Sequence, residues 1–109
     1  MKIKVYIASP YTIGDKLENA KRQIKAADEL LKHGFAPYVP LLNHFWDEIS
    51  PKTEREWLDL DFEYLPICDC LLRLEGESKG ADKECLKAIE LNMPLFHSIN
   101  EIINFYTSK

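Results

Sequence analysis

Apolar and polar positions along this chain alternate between two periods, and the switches between them mark its predicted elements. Ile3, Val5 and Ile7 recur at every second residue and open the chain as a strand. Asp15 followed by Glu18 has capping-box spacing. Leu17, Ala20, Ile24, Ala27 and Leu31 then repeat at helical spacing until Gly34 supplies a stop. Phe35 to Val39 is a second strand. From Pro40 to Lys52 no period is sustained, which predicts a loop or a short helix. Thr53 and Glu56 form a capping box for a helix that carries Trp57, Leu60, Tyr64 and Leu65 on one face. Cys68 to Leu74 is apolar apart from Asp69 and Arg73, as a strand buried on both faces should be. After Glu75-Gly76 a further helix places Ala81, Cys85, Ala88, Ile89 and Asn92 inward. Pro94 to His97 is a short strand suited to an edge, and Ser98 with Glu101 caps a last helix bearing Ile99, Ile102, Ile103 and Tyr106.

Strands alternating with helices imply crossover connections and a parallel sheet. The expected fold is α/β: a single-domain open parallel sheet of four or five strands flanked by helices, of the flavodoxin or Rossmann kind, spanning residues 1–109. A chain of 109 residues, 46% hydrophobic and 29% charged, can bury one core but not two. The net charge of -4, with no Lys/Arg cluster, argues against a long nucleic acid as partner and for a small molecule. The N-terminal alternation breaks too early for the apolar segment of a signal peptide, and no stretch approaches a membrane span. Cys68, Cys70 and Cys85 read as reduced thiols, which points to the cytoplasm. His33, His44 and His97 have no ligand spacing with them, so no metal site is expected.

Two carboxylates resist a structural explanation. On a helix of about 3.6 residues per turn, Asp61 falls between Trp57 and Leu65 beside Tyr64, in the middle of an apolar stripe, whereas Asp59 and Glu63 point away. A buried unpaired carboxylate costs several kcal/mol and so has a partner or a task. Glu84 is the second. Glu18, Glu56 and Glu101 each sit three residues after a capping residue, but three after Ser78 comes Ala81, so capping does not account for Glu84. It lies in the first turns of a helix after a central strand, where open parallel sheets bind ligands. A solvated carboxylate favoured by the helix dipole is the other reading of Glu84, and a satisfied buried Asp the other reading of Asp61.

With these residues in place, the chain resembles the nucleoside 2-deoxyribosyltransferase-like superfamily, nearest to its compact bacterial and phage members of unassigned activity. The matching positions are Val5-Tyr6-Ile7-Ala8-Ser9-Pro10-Tyr11, Gly34 and Pro40, Trp57, Asp61, Cys68-Asp69, Ser78-x-Gly80-x-x-x-Glu84 and Ala88. The resemblance implies an N-glycosidase or deoxyribosyltransferase in which Glu84 attacks the anomeric carbon of a nucleoside or nucleotide. Asp61 assists and Tyr6 orients the nucleophile. It also implies a small-molecule partner, no cofactor, and assembly as a homo-oligomer. Ser9, Tyr11, Ser78 and Gly80 flank the expected crevice as substrate-binding residues. His44 and Trp46 lie on the segment leading toward it, where an aromatic group can stack on a nucleobase, although a core or interface role for Trp46 is equally compatible. Members that hydrolyse 5'-monophosphates carry an arginine-containing turn after the first strand, which Ser9-Pro10-Tyr11-Thr12-Ile13-Gly14 lacks. Ser78 and the amides around Gly80 could still take a phosphate. A non-catalytic nucleotide-binding module, and cleavage of the glycosidic bond of NAD, remain alternatives. If both carboxylates act at one sugar, they should open into one cavity.

Overall fold

A computed structural model describes residues 1–107. Its strands β1 (Lys4–Ala8), β2 (Ala36–Tyr38), β3 (Cys70–Arg73) and β4 (Leu95–Phe96) form one parallel sheet in the order β2-β1-β3-β4. This is the strand order expected of the first four strands of a flavodoxin-like sheet. The chain leaves β1 for β2 on one side and returns to β3 on the other. The reversal puts a crevice above the carboxyl ends of β1 and β3. Helices α1 (Lys16–Lys32), α2 (His44–Ile49), α3 (Glu54–Tyr64), α4 (Lys79–Glu90) and α5 (Ile99–Thr107) fill the connections, with a 3-10 turn at Pro40–Asn43 before α2 and another at Leu65–Ile67 after α3.

The two-residue period of β1 divides the core. Val5 and Ile7 face Ala27, Leu30, Phe35 and Ile102 on one side of the sheet. Tyr6 and Ala8 face Leu65, Ala81 and Ala88 on the other. Both edge strands are short and β2 carries Pro37, features that discourage edge pairing. Asp69 lies just before β3 and accepts a hydrogen bond from the Lys4 amide at 2.7 Å, which ties the starts of the two central strands.

The helix starts follow the capping chemistry. The reciprocal boxes form at Thr53 with Glu56 and at Ser98 with Glu101. At α1 only half of the box forms: Asp15 accepts from the Glu18 amide, and the Glu18 side chain turns to Lys21 instead. Helix faces differ from the periodic expectation at three places. In α1 the buried positions are Ala20, Gln23, Ala27 and Leu30, leaving Leu17, Ile24 and Leu31 exposed. The cause is Gln23, whose side chain is drawn inward to bond the Ile7 carbonyl, the Ser9 hydroxyl and the Leu41 amide. In α3 Leu58 is buried and Tyr64 is exposed, stacked on Tyr38. In α4 Ile89 faces outward, Asn92 falls beyond the helix in an exposed turn, and Glu84 takes an inner position with Ala81 and Ala88.

One turn is sterically determined. Gly76, between β3 and α4, has φ +122°, and a Cβ there would lie 2.7 Å from Cγ of the buried Pro10. The turn after β3 thus rests against the turn after β1, and the two together form one lip of the crevice. Gly34 also has a positive φ, of +86°, but has open space around it. Gly34→Ala should therefore cost only the left-handed backbone penalty of about 1 kcal/mol. Gly76→Ala adds a clash with the Pro10 ring and should cost at least about twice as much. Denaturant unfolding of the two variants checks this, and equal losses would show that the Pro10 contact yields without cost.

Candidate active site

The site is built from β1, the segment after β2, and the helices α3 and α4. Because Val5 and Ile7 commit one face of β1 to α1, Tyr6 must point toward α4, where its hydroxyl donates a short hydrogen bond to Oε2 of Glu84. Asp61 comes from the inward face of α3. Both carboxylates are almost fully buried, at 8% exposure for Asp61 and 6% for Glu84. They line the same cavity, of about 360 Å³, together with Ser9, Tyr11, His44, Ser78 and Gly80. A volume of this order suits a small organic ligand.

Of the residues expected at the site, the structure brings all but two to the cavity wall. Tyr6 is not among the lining residues and meets the site through its hydrogen bond to Glu84. Trp46 lies outside, half exposed, with its ring edge-on to Trp57 at 5.1 Å. The reason is angular: His44 takes the inward position of the short helix α2, and a residue two places on points roughly the opposite way. Trp57 lines the cavity in its place, with its indole N–H donated to Asp47 at 2.7 Å. That bond, with one from the Lys52 amide, holds the Asp47 carboxyl below the usual range.

Periodicity also passed over two buried polar residues that shape the site. Gln23 locks the end of β1 to the 3-10 turn after β2. Arg73, at the end of β3, donates to the carbonyls of Leu74 and Gly76 and to Asp82. It thereby holds the turn that leads to Ser78, whose hydroxyl accepts from the Ala81 amide and starts α4. Gln23 sat in plain view between Ala20 and Ala27 at helical spacing. Arg73 was visible as a break in an apolar strand.

Burial dominates the electrostatics. It raises the Asp61 carboxyl to about 7 and the Glu84 carboxyl to about 8, with the Tyr6 hydroxyl opposing both shifts and the Asp61 charge adding to that of Glu84. Burial and the two neighbouring carboxylates push the Tyr6 phenol well above its ordinary value. Both carboxyls therefore hold their protons to higher pH than solvated acids do, and the Asp61 charge couples the titration of Glu84 to its own. Tyr6 donates to Glu84, which favours the charge there. Oδ1 of Asp61 is buried with no hydrogen-bond partner, which suits the protonated acid. Among the described residues no group of three His, Cys, Asp or Glu side chains converges as a metal site would, and no helix is long and apolar enough to cross a membrane.

A family model described as a domain of unknown function, DUF7768, matches residues 3–98. The chain belongs to this family. No curated protein matches it. Among solved structures, this DUF7768 member is similar to a 2-deoxyribosyltransferase from the psychrotolerant bacterium Bacillus psychrosaccharolyticus, with a TM-score of 0.62 and 24% identity over 84% of this chain and 69% of that one. The likeness extends to the fold of a 2-deoxyribosyltransferase, in agreement with the sheet order and the flanking helices.

The raised carboxyls make a prediction that needs no substrate. A group that stays protonated in the folded protein, while its unfolded counterpart ionises near pH 4, gives stability that falls as pH climbs toward the folded value. For this DUF7768 protein the loss should run from about pH 4 to about pH 8 and then level off. Glu84→Gln removes one of the two groups. It should melt close to the parent at pH 5 and above it at pH 9, by on the order of 10 °C for about 2 kcal/mol. A variant that is less stable than the parent at both pH values would contradict a buried carboxylate pair.

Proposed function

We propose that this protein breaks the N-glycosidic bond of a nucleoside or nucleotide, by transfer to another base or by hydrolysis. Glu84 is the nucleophile, Asp61 the general acid and base, and Tyr6 the residue that orients Glu84. The observation that carries this reading is the convergence of two buried carboxylates from different helices in one cavity, one held by a tyrosine and the other with a partnerless oxygen. The similarity in fold to a 2-deoxyribosyltransferase described as a biocatalyst for nucleoside synthesis adds support.

The chemistry balances with these groups alone. The ionised Glu84 oxygen attacks the anomeric carbon as the bond to the base breaks, and the bonding pair leaves on the base nitrogen. That nitrogen takes the Asp61 proton. A second base or water then attacks the anomeric carbon, gives its proton to Asp61, and returns Glu84 as carboxylate. A cation-like sugar in the transition state is stabilised by the adjacent charge in a site of low dielectric. Homo-oligomeric assembly and action as one domain in the cytoplasm belong to the same proposal.

The test is a panel of ribonucleosides, deoxyribonucleosides, their 5'-monophosphates and NAD, each incubated with the purified protein with and without a free acceptor base, and analysed for released or exchanged base. Turnover should fall by at least roughly a thousandfold in Glu84→Gln and about a hundredfold in Asp61→Asn. Exchange should follow ping-pong kinetics. Undiminished turnover in Glu84→Gln removes the nucleophile assignment, and binding without turnover, equal in parent and variant, favours a binding module.

A further inference from the structure

Besides the carboxylates, the cavity wall carries a second chain of polar groups. His44 is buried at the start of α2, with Nε2 2.6 Å from Oε1 of Glu48 one turn along the same helix. Its other ring nitrogen, Nδ1, lies 2.7 Å from the Tyr11 hydroxyl, and the two rings meet edge to face at 5.8 Å. Tyr11 is anchored through its backbone, since Asn19 donates to its carbonyl at 3.0 Å. The remaining charged neighbours are Asp47, close to both Tyr11 and His44, and Lys16, whose ammonium sits over the Tyr11 ring at 5.4 Å. Tyr11 and His44 line the same cavity as Asp61 and Glu84. The carboxylate chemistry uses neither.

The direction of these hydrogen bonds follows from which groups can donate. A carboxylate only accepts, so the Nε2 that faces Glu48 carries the hydrogen. In a neutral imidazole Nδ1 is then bare and must accept from the Tyr11 hydroxyl. Tyr11 spends its single proton on His44, and what its oxygen offers a ligand is lone pairs. A proton on Nδ1 would reverse this, turning the Tyr11 hydrogen outward and making Tyr11 a donor.

We propose that Tyr11 is a specificity-determining residue that presents a fixed hydrogen-bond acceptor to a donor group on the bound nucleoside, and that His44 and Glu48 are positioning residues that keep it an acceptor. This rests on the nucleoside reading above and narrows it to substrates with an N–H or O–H at that point, either an amino group of the base or a sugar hydroxyl.

Three pairs of probes separate those sources. 2'-Deoxyadenosine against purine 2'-deoxyriboside removes the base amino group, against 2',3'-dideoxyadenosine the 3'-hydroxyl, and against 2',5'-dideoxyadenosine the 5'-hydroxyl. Dissociation constants are measured by calorimetry in the Glu84→Gln background, where turnover does not interfere. The donor-bearing member of one pair should bind about tenfold more tightly, the worth of one well-made hydrogen bond that its analogue cannot replace. Tyr11→Phe should bring that ratio near one without weakening the analogue. Glu48→Gln should shrink it severalfold. His44→Asn, whose amide oxygen can take the place of Nδ1, should largely keep it. A general loss of structure would lower both affinities of a pair together and leave the ratio alone.

Nitrogen NMR of His44 reads the arrangement without any ligand, and should show a hydrogen on Nε2 and none on Nδ1. A hydrogen on Nδ1 overturns the inference by itself. Nucleosides that bind and turn over with equal preference in all three pairs, or a ratio unchanged in Tyr11→Phe, overturn it while leaving the glycosidic reading intact. A folded protein that binds no member of the panel overturns both.

Discussion

The hydrogen bond from Tyr6 to Glu84 is the contact on which the rest of the site depends, and the alternation of β1 makes it unavoidable. A central parallel strand is buried on both faces, so a tyrosine in it must find a partner for its hydroxyl within the protein. Val5 and Ile7 occupy the α1 and α5 side, which leaves Tyr6 under α4, and α4 answers with Glu84 rather than with a backbone carbonyl. A carboxylate placed there is deprived of water, and Asp61, a few side chains away on α3, suffers the same. The fold therefore carries two acids that would each be more comfortable in solvent. Folding alone gives no reason to retain them.

What offsets that cost is rigidity in the surrounding frame. Three devices brace the crevice: Gln23, itself on the cavity wall, ties β1 to the turn after β2, Arg73 gathers the carbonyls after β3, and Gly76 lets that turn rest directly on Pro10. Each fixes a backbone segment from which a cavity residue projects, namely Ser9, Leu41 and Ser78. Preorganised polar groups act strongly only if they cannot relax, so the buried scaffold bonds matter to the site as much as the residues that face it.

These devices also mark where sequence reasoning succeeded and where it stopped. The strands, the caps at Thr53, Ser78 and Ser98, and the odd placement of Asp61 and Glu84 were legible because each depends on residues within one or two turns of each other. The inward face of α1 was misjudged, since apolar count favoured Ile24 and Leu31 whereas three long-range hydrogen bonds favoured Gln23. Trp46 was expected in the cavity because α2 is too short to show a period. Its neighbour His44 takes the inner position, and Trp57 on α3 supplies the indole. In the Tyr11, His44 and Glu48 chain, the four-residue step from His44 to Glu48 was readable. The link to Tyr11, separated from His44 by 33 residues, depends on how the ends of β1 and β2 meet.

The two polar groups of the cavity differ in a way that bears on how such a site could work. The carboxylate pair is poorly solvated and poorly satisfied, so its free energy drops when positive charge or a donor arrives. The Tyr11, His44 and Glu48 chain is satisfied internally and opens to solvent through Glu48, whose side chain is 59% exposed, so little changes when a ligand comes or goes. On the proposed reading, the first belongs where charge develops during reaction, because only interactions that strengthen in the transition state accelerate it. The second belongs where a substrate is recognised and held unchanged throughout. On the same reading, the carboxylates hold an electrostatic deficit that a cation-like sugar would relieve, and Tyr11 supplies a fixed acceptor. Catalysis and selection could then be altered separately, the first through Tyr6 and the charge on Glu84, the second through Glu48 or His44.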